Sequence, residues 1–298
     1  MNPMITDASP LIIVITGPTA VGKTSLAIEI TKTFSTEIIS ADSRQFYKEM
    51  IIGNARPTDS ELSAVPHHLI GHLSVHDYYN VSMYESDALF IANGLFTKHD
   101  KVLVTGGSGL YINAICHGID DLPDPDDSLR QNLKDLYDSE GITALREKVK
   151  ELDPEYYYVV DRSNPKRLLR ALEVCLTTGV KYSTLRRNKP KPRVFRIVRI
   201  GLFREKGELA ERIRLRVDKM MEDGLFEEAG SLYPLRHLNA LNTVGYKELF
   251  DHFDSKMTLD QAVDKIKTNT RRYAKRQMTW FRKEKETLWF HADDLEGI

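Results

Sequence analysis

The chain has 298 residues, of which 41% are apolar and 29% are charged, and its formal net charge is −1 at pH 7. This composition is typical of a soluble globular protein with one large or two moderate domains. No apolar stretch is long enough to span a membrane, and residues 1–10 lack the basic start and the cleavage site of a secretory signal. These features argue against a membrane-spanning protein and lead us to expect a cytoplasmic one.

The first predicted strand, residues 11–16, leads into a glycine-rich loop. The loop fits the pattern G-x-x-x-x-G-K-[ST] at every fixed position, and apolar residues at helical spacing follow it, ending with Phe34. Its backbone N–H groups would converge on a diphosphate or triphosphate at the positive end of that helix. Lys23 would add a point charge, and the Thr24 hydroxyl would hold Mg²⁺. The predicted phosphate-binding residues are Gly17, Pro18, Thr19, Ala20, Val21, Gly22, Lys23 and Thr24.

Two further strands are predicted near this loop. Residues 37–42 form a strand that ends in Asp42, and residues 102–104 form one that runs into the sequence TGGSG at 105–109. Because the second strand has no acid at its end, the Mg²⁺-binding aspartate of an ordinary P-loop ATPase is missing. Ligands of an open α/β sheet bind outside the carboxyl ends of its strands, so we expect Asp42, Ser108 and the phosphate loop to face one crevice. A strand-end Asp also serves as a turn or N-cap residue, and that alternative stays open.

Cysteine and histidine usage gives no metal-binding pattern. Cys116 and Cys175 form no C-x-x-C pair and lie in apolar surroundings, which predicts reduced, packed thiols. His67 and His68 lack a third ligand at metal-like spacing. A role in a loop or at the edge of the core is therefore favoured for this pair over a metal site.

The middle of the chain differs from its flanks in periodicity. Residues 122–192 have helical periodicity with few strand signals, and residues 194–203 read as a strand that returns to the sheet. We therefore predict an α/β fold in which a P-loop NTPase-like parallel sheet, flanked by helices, is interrupted by a helical insertion domain. The predicted domains are residues 1–121 for the first part of the core, 122–192 for the insertion, and 193–298 for the second part of the core.

The charges are distributed unevenly along the chain. Residues 120–160 contain 12 acidic and 5 basic side chains, whereas residues 161–216 contain 5 acidic and 17 basic ones. One basic face on a nearly neutral protein suggests a polyanionic partner. The proline-interrupted segment 186–193 reads as a solvated connector that could lie along a phosphate backbone. For this segment alone, a solvated charge run without a partner is favoured.

A predicted helix over residues 208–222, ending before Gly224, carries two arginines that face the same way. Arg212 and Arg216 lie one helical turn apart beside an apolar stripe. Together they could clamp a phosphate through bidentate hydrogen bonds. An ordinary ion pair on the helix surface is at least as well supported by the spacing, and both alternatives stay open.

A second helix, predicted over residues 258–283, combines cations with aromatic side chains. It opens with a capping box formed by Thr258 and Gln261, has an apolar stripe, and carries basic residues beside Tyr273 and Trp280. Aromatic rings beside arginines can stack unpaired bases while the cations neutralise phosphates. Such rings more often belong to a core, but the patch as a whole favours nucleic acid.

In their order along the chain, these segments resemble the bacterial tRNA dimethylallyltransferases, also called isopentenyl-tRNA transferases. The resemblance covers essentially the whole chain. It rests on GPTAVGKT (17–24), IISADSRQFY (38–47), VPHHLIG (65–71), TGGSGLYI (105–112), RLLRALEV (167–174), ERIRLRVDKMMEDGL (211–225), VGYKE (244–248) and RRYAKRQMTWFR (271–282). The phosphate loop alone is generic, whereas the ordered set is highly specific.

The resemblance implies a reaction. Members of the family transfer a dimethylallyl group from dimethylallyl diphosphate to the exocyclic N6 amine of the adenosine immediately 3′ of the anticodon, and diphosphate is released. The phosphate loop would then cradle the diphosphate of the prenyl donor. By the same resemblance Asp42 is the general base. The leaving group would be stabilised by Lys23, Mg²⁺ on Thr24, Ser108, and one or both of Arg212 and Arg216.

The resemblance also implies a tRNA-binding surface for the anticodon stem-loop, with the target base flipped into the crevice. We expect the enzyme to act as a monomer. The implied tRNA contacts are Asp42, Ser43, Arg44, Gln45, Ser108, Arg130, Lys166, Arg167, Leu168, Leu169, Arg170, Thr243, Val244, Gly245, Tyr246, Lys247, Arg271, Arg272, Lys275 and Arg276.

Several residues depart from the family pattern, and these departures bear on RNA selectivity rather than on catalysis. They are Arg44, Asn54, Arg56, Ser108, Asn242 and Thr243. Two other functions compete with prenyl transfer. A P-loop small-molecule or nucleotide kinase would need an acid for Mg²⁺ and would leave the basic faces unexplained. A non-catalytic RNA-binding protein would leave the pairing of Lys23 with Asp42 unexplained.

Overall fold

The computed structural model describes residues 9–294. Residues 1–8 and 295–298 lie outside the described residues; they hold most of the segment considered for a secretory signal and the two ends of the predicted core. The strands are β1 (Leu11–Thr16), β2 (Ile38–Ser40), β3 (His67–His68), β4 (Lys101–Thr105), β5 (Arg196–Phe203) and β6 (Thr287–His291). The helices are α1 (Lys23–Phe34), α2 (Asp59–Ala64), α3 (Val81–Leu95), α4 (Gly109–His117), α5 (Asp127–Leu152), α6 (Pro154–Val159), α7 (Pro165–Thr178), α8 (Tyr182–Leu185), α9 (Lys206–Glu222), α10 (Leu225–Leu232), α11 (Tyr246–Phe253) and α12 (Leu259–Phe281). Two short 3₁₀ helices lie at Tyr233–Leu235 and Asn239–Leu241.

The six strands form one sheet in which every pair is parallel, in the order β3-β2-β4-β1-β5-β6. Ile13 of the central strand β1 lies opposite Leu103 of β4 on one side and Val198 of β5 on the other. A strand buried in the middle of a parallel sheet requires a continuous apolar run, which the sequence LIIVIT provides. This sheet and its flanking helices confirm the predicted fold class.

The chain forms two compact units. One comprises the described residues up to residue 117 and from residue 192 onward, and the other comprises residues 118–191. The second unit is the helical insertion, in which α7 packs against α5. Helix α5 is interrupted at Gly141, whose φ of 73° favours glycine. The buried core of this helical unit includes Leu133, Leu145, Leu168, Leu172 and Val174.

The ends of the helices follow their local signals. Helix α9 ends before Gly224, whose φ of 101° lies in the left-handed region. Thr258 Oγ1 accepts the Gln261 N–H and Gln261 Oε1 accepts the Thr258 N–H, so the predicted capping box of α12 is confirmed. Phe34, the last apolar residue of the helical pattern after the phosphate loop, is not part of the core. Its side chain is 44% exposed because α1 ends there at the surface, where Lys101 Nζ lies 4.9 Å from the ring centroid.

One end of the predicted solvated connector is buried. Arg193 donates to Glu85 at 2.7 Å and to the carbonyls of Ala114 and Ile115, and the Arg193 and Glu85 side chains are 10% and 7% exposed. A buried guanidinium that is paired in this way is not available to a phosphate, because breaking the pair would leave a buried charge without a partner. The prediction of a solvated segment 186–193 is therefore wrong for Arg193.

The cysteine and histidine predictions agree with the structure. Cys116 and Cys175 are free and buried. His68 Nε2 lies 2.6 Å from Glu37 Oε2, and His67 Nδ1 lies 2.8 Å from the Val65 carbonyl oxygen. Each imidazole ring therefore has a hydrogen-bond partner within the protein, at the edge of the sheet. Between residues 9 and 294, no helix combines the length and the apolar character needed to cross a bilayer.

Candidate active site

The phosphate loop is built on two glycines with positive φ. Gly17 has a φ of 149°, and a Cβ at this position would lie 2.7 Å from the Leu202 carbonyl oxygen of β5. Gly22 has a φ of 115° and is the N-cap of α1. These two positions require glycine, because other residues would be strained in this conformation or would clash with β5. The loop therefore presents its backbone at the N-terminus of a helix, where an anion is stabilised.

Lys23 points back over the loop. Its Nζ donates to the Gly17 carbonyl at 3.0 Å and to the Pro18 carbonyl at 2.9 Å. Burial lowers the pKa of Lys23 to about 8, against the opposing effect of the Asp42 carboxylate and with a smaller lowering effect of Arg216. The ammonium group thus lies where the outer oxygens of a bound diphosphate would replace two carbonyls as its partners.

Arg212 and Arg216 both reach the phosphate loop from α9. Arg212 Nε donates to the Ala20 carbonyl at 2.8 Å, and Arg216 donates to Thr19 Oγ1 at 3.3 Å. Arg214 of the same helix behaves differently, because it forms surface ion pairs with Glu211 and Asp218. Of the two alternatives that the spacing left open, the geometry favours the phosphate clamp. Burial lowers the pKa of Arg216, because desolvation disfavours its charged form. An anionic ligand bound beside it would favour that charged form again.

Asp42 follows β2 and faces the phosphate loop across the crevice. Its Oδ1 accepts the Arg44 N–H at 3.1 Å, so it does form the turn that the alternative interpretation proposed. Its other oxygen is directed toward Gly107, where a Cβ would lie 3.2 Å from Oδ2. The carboxylate therefore has a turn-forming oxygen and a second oxygen beside the loop that follows β4.

Ser108 supports Asp42 from the side. Its Oγ accepts the Ser43 N–H at 3.0 Å and lies 3.0 Å from Ser43 Oγ, while its own N–H donates to the Ala41 carbonyl at 3.2 Å. The hydroxyl thus connects the loop after β4 to the segment that carries Asp42. It does not line the cleft described next.

A cleft of about 880 Å³ joins the phosphate loop to the segment around Asp42. It contains most of the residues predicted from the sequence. Those lining it are Thr19, Ala20, Gly22, Lys23, Thr24, Asp42, Ser43, Arg44, Gln45, Arg212, Arg216, Thr243, Val244, Gly245, Lys247 and Arg276. The remaining candidates of this unit, which do not line it, are Gly17, Pro18, Val21, Ser108, Tyr246, Arg271, Arg272 and Lys275.

Two predicted tRNA contacts are wrong because their side chains are buried. Tyr246 is fully buried, and its hydroxyl donates to Glu228 Oε1 at 2.6 Å. Leu168 is fully buried in the core of the helical insertion. Their neighbours Lys247, Lys166 and Arg167 are exposed. A helix turns by about 100° per residue, so a motif that spans one turn contains core positions as well as surface ones.

The other candidates of the helical insertion have intramolecular partners. Arg130 Nε lies 3.7 Å from Glu173, and Arg170 lies 3.4 Å from the same carboxylate. Leu169 is partly buried against the core of this unit. The basic side chains at the start of α7 are thus divided between an ion-pair network and the exposed pair Lys166 and Arg167.

The atypical Arg44 has a structural role. It donates to the carbonyls of Asn239 and Ala240, both at 3.0 Å, and its own carbonyl accepts from Asn54 Nδ2 at 2.6 Å. Two of the residues that depart from the family pattern, Arg44 and Asn54, are therefore bonded to each other. Arg44 thereby connects the segment of Asp42 to the segment that leads into Thr243, a third departure, and both Arg44 and Thr243 line the cleft.

Two residues near the cleft were missed from the sequence. Gln277 of α12 is buried and bonds to both the phosphate loop and the loop after β4. Gln277 lies four residues from both Tyr273 and Phe281, which were predicted to belong to the buried stripe of this helix. That spacing could have indicated a buried polar side chain at position 277. Glu228 accepts the N–H groups of residues 51–53 at 2.8–2.9 Å. No local pattern indicated Glu228, because its partners are distant in sequence.

The lowered pKa of Lys23 predicts how diphosphate binding depends on pH. A bound diphosphate raises this pKa again, so binding above pH 8 takes up a proton, and affinity should fall by up to about tenfold per pH unit as pH rises from 8. Below pH 8 the side chain is already charged and contributes no pH dependence. Calorimetric titration of inorganic pyrophosphate with Mg²⁺ measures this. A Lys23→Arg variant, charged throughout, should lose the slope, and a flat wild-type affinity above pH 8 contradicts the prediction.

Comparison with known proteins agrees with the site. A family model described as IPP transferase matches residues 45–284. Two relatives, each called tRNA dimethylallyltransferase, are 51% identical to the chain. The one from Phocaeicola vulgatus is matched over 96% of this chain and 96% of its own length, and the one from Christiangramia forsetii over 96% and 95%.

Solved structures give the same result. The tRNA isopentenylpyrophosphate transferase from Bacillus halodurans has a TM-score of 0.69 at 36% identity, covering 96% of this chain and 92% of that one. A eukaryotic dimethylallyltransferase, solved acting on tRNA, has a TM-score of 0.78 at 25% identity, covering 97% and 75%. With the phosphate loop, the two arginines of α9 and Asp42 around one cleft, and with relatives matched over nearly their whole length, the chain belongs to the IPP transferase family.

Proposed function

We propose that the chain transfers a dimethylallyl group from dimethylallyl diphosphate to the N6 amine of the adenosine immediately 3′ of the anticodon in tRNA. Its relatives are tRNA prenyl transferases, and tRNA is the substrate of the family. One observation carries the residue assignment. A single cleft has a phosphate loop with three cations on one side and the Asp42 carboxylate on the other. Such a cleft suits a diphosphate leaving group that faces an amine nucleophile.

Asp42 is the general base of this proposal. The lone pair of the adenine amine is delocalised into the ring, so the amine is a weak nucleophile and its proton must leave as the new bond forms. The N6–C1 bond forms while the C1–O bond of the donor breaks, the bonding pair leaves with diphosphate, and the N6 proton passes to Asp42. The Oδ2 side of the carboxylate is the reactive one, because Oδ1 accepts the Arg44 N–H.

Lys23, Arg212 and Arg216 stabilise the departing diphosphate. All three cations contact the phosphate loop itself, so they are in place before the donor binds. Charge that is arranged in advance around a developing anion lowers the barrier without reorganisation during the reaction. Ser108 acts indirectly, by holding Ser43 and thereby the segment of Asp42.

The cleft suits Mg²⁺ bound mainly through the donor. Thr24 offers a hydroxyl at the start of α1, and the carboxylates in the lining are Asp42 and Glu61. Among residues 9–294, the one group of three or more His, Cys, Asp or Glu side chains close enough to hold a metal is Glu208, His291 and Asp293, none of which lines the cleft. Mg²⁺ typically keeps several waters and binds to substrate phosphates with one or two protein ligands. When bound, it would neutralise charge on the diphosphate.

The kinase alternative is less well supported. Relatives matched over almost the whole chain are named dimethylallyltransferases. Strand β4 ends at Thr105 and is followed by Gly106 and Gly107, where an ordinary P-loop ATPase has a Mg²⁺-binding acid. The exposed arginines of α12 also have no task in a kinase.

We propose that the anticodon stem-loop lies along the exposed face of α12; in the insertion, the exposed cations Lys166 and Arg167 are separate candidate tRNA contacts. Lys265 and Lys267 of α12 are paired with Asp251 and Asp218. The next cations along the helix differ, because within residues 9–294 Arg271 and Arg272 donate only to the neutral side chains of Thr268 and Asn269. These cations, together with Lys275 and Arg276, keep their charge available for phosphates. Because every group assigned to the reaction comes from one chain, a monomer suffices.

The function is tested by following labels. The protein is incubated with unmodified tRNA, dimethylallyl diphosphate labelled in the prenyl group, and ATP labelled in its terminal phosphate. Prenyl label in the RNA supports the proposal. Phosphate label in any acceptor, with no prenyl label in the RNA, identifies a kinase. No movement of either label, with RNA bound, identifies a binding protein.

The RNA-binding face predicts a change in salt dependence. An Arg271/Arg272/Arg276→Ala variant should bind tRNA more weakly, and each lost phosphate contact should reduce the slope of log affinity against log salt by roughly 0.7–0.9. The matched control is Lys265→Ala on the same helix, since that cation is already paired with Asp251 at 3.6 Å. Filter binding over a range of salt concentrations measures the slope. An unchanged slope in a variant that is folded by circular dichroism would mean that this face is only solvated.

A further inference from the structure

Gln277 joins the two halves of the cleft through its side-chain amide. Its Oε1 accepts the Thr19 N–H of the phosphate loop at 2.9 Å, and its Nε2 donates to the Gly107 carbonyl at 2.8 Å. The residue is only 6% exposed. The two bonds therefore lie in a protected setting, where replacing them with water is unfavourable.

The chemistry of the two partners requires an amide at this position. Thr19 offers a donor and Gly107 offers an acceptor, and a primary amide provides one of each. Gly107 allows the approach because it has no side chain, since a Cβ there would lie 2.5 Å from Gln277 Nε2 and 3.2 Å from Asp42 Oδ2. The amide thus contacts the donor loop at one end, and at the other end it contacts the backbone that packs against the general base.

The same helix carries the proposed RNA contacts on its other face. Arg271, Arg272 and Lys275 are exposed, whereas Gln277 points inward from the following turn. A helix moves as a rigid unit, so force applied to its outer face by bound RNA is transmitted to its buried face. Thr19 also connects to α9, because its hydroxyl accepts from Arg216.

We propose that Gln277 is a positioning residue that couples RNA binding on α12 to the conformation of the phosphate loop, so that bound RNA increases donor affinity and bound donor increases RNA affinity. The inference rests on the proposed function, because it takes a prenyl diphosphate and an RNA stem-loop as the two ligands. Coupling of this kind is reciprocal, so one factor describes both effects.

The test measures that factor by binding alone. The probes are an anticodon stem-loop RNA and the sulfur analogue of dimethylallyl diphosphate, which reacts slowly enough for equilibrium titration. In the wild type, saturating RNA should lower the dissociation constant of the analogue by about 5–150-fold, and saturating analogue should lower that of the RNA by the same factor. In Gln277→Glu the added carboxylate oxygen repels the Gly107 carbonyl, and the factor should approach one.

Two further variants keep the result decisive. Gln277→Met removes both hydrogen bonds without adding charge and should show the same loss of coupling. It replaces Gln277→Glu in the test if that variant is unstable. Gln261→Met removes the same amide from the opposite end of α12, where its Oε1 accepts the Thr258 N–H at 2.9 Å. This control should lower thermal stability modestly and leave the coupling factor unchanged.

The outcomes separate this inference from the proposed function. If the wild type transfers the prenyl label but its coupling factor is one, or if the Gln277 variants keep the wild-type factor, the inference is overturned and the function stands. If the Gln277 variants lose thermal stability with unchanged coupling, the residue is structural only and the inference is likewise overturned. If the wild type transfers no label, the function itself fails.

Discussion

Replacing Asp42 with Asn is expected to lower kcat of prenyl transfer by about 10²–10⁴-fold, the range typical for loss of a general base. The substitution is isosteric, and the amide oxygen can still accept the Arg44 N–H that shapes the turn. RNA affinity should therefore stay near that of the wild type. Single-turnover transfer with saturating RNA and donor at neutral pH measures the chemical step.

A matched control for Asp42→Asn is available in a nearby loop. Asp77→Asn is the same substitution at another carboxylate that accepts a backbone N–H, that of Ser74 at 2.7 Å, and Asp77 does not line the cleft. It should leave the transfer rate unchanged. If Asp42→Asn turned over at the wild-type rate, Asp42 would not be the base. If its RNA affinity fell together with the rate, the loss would be one of docking.

Replacing Lys23 with Ala is expected to weaken donor binding and also to slow transfer, with a combined loss in kcat/KM of roughly 10²–10³-fold. The ammonium group interacts with the diphosphate in the ground state and more strongly as negative charge develops on the leaving group, so both kinetic constants should change. Titration with the sulfur analogue gives the binding part, and single-turnover transfer gives the chemical part.

The control for Lys23→Ala is Lys32→Ala at the exposed end of the same helix, α1. It removes the same charge far from the phosphate loop and should leave both constants unchanged. A Lys23→Ala variant with full transfer activity but without ATP hydrolysis would contradict the assignment, because the loop would then serve a nucleotide.

The phosphate loop and the sheet could be predicted from the sequence because their signals are local. The run LIIVIT, the glycines at 17 and 22 and the capping box at Thr258 each determine structure within a few residues of themselves. The spacing of Arg212 and Arg216 left two alternatives. The orientation of α9 decides between them, since it turns both arginines toward the phosphate loop. Arg214 instead pairs with Glu211 and Asp218 of its own helix, as their spacing alone allows.

The remaining features depend on contacts between distant segments. Glu228 binds residues 51–53 and the Tyr246 hydroxyl, and Gln277 binds Thr19 and Gly107, so no sequence window contains both partners. The errors at Tyr246 and Leu168 have a related cause. A recognised motif was assigned to RNA as a whole, whereas the phase of each helix buries some of its members against the core.

The position of the prenyl group in the product tests the central claim most directly. Wild-type protein is incubated with dimethylallyl diphosphate, Mg²⁺ and two anticodon stem-loops, one with adenosine immediately 3′ of the anticodon and one with guanosine there. The RNA is then digested to nucleosides and analysed by mass spectrometry. Our account predicts N6-dimethylallyl adenosine from the first RNA alone. Prenylation of both RNAs, modification at another position, or no modification of bound RNA would contradict it.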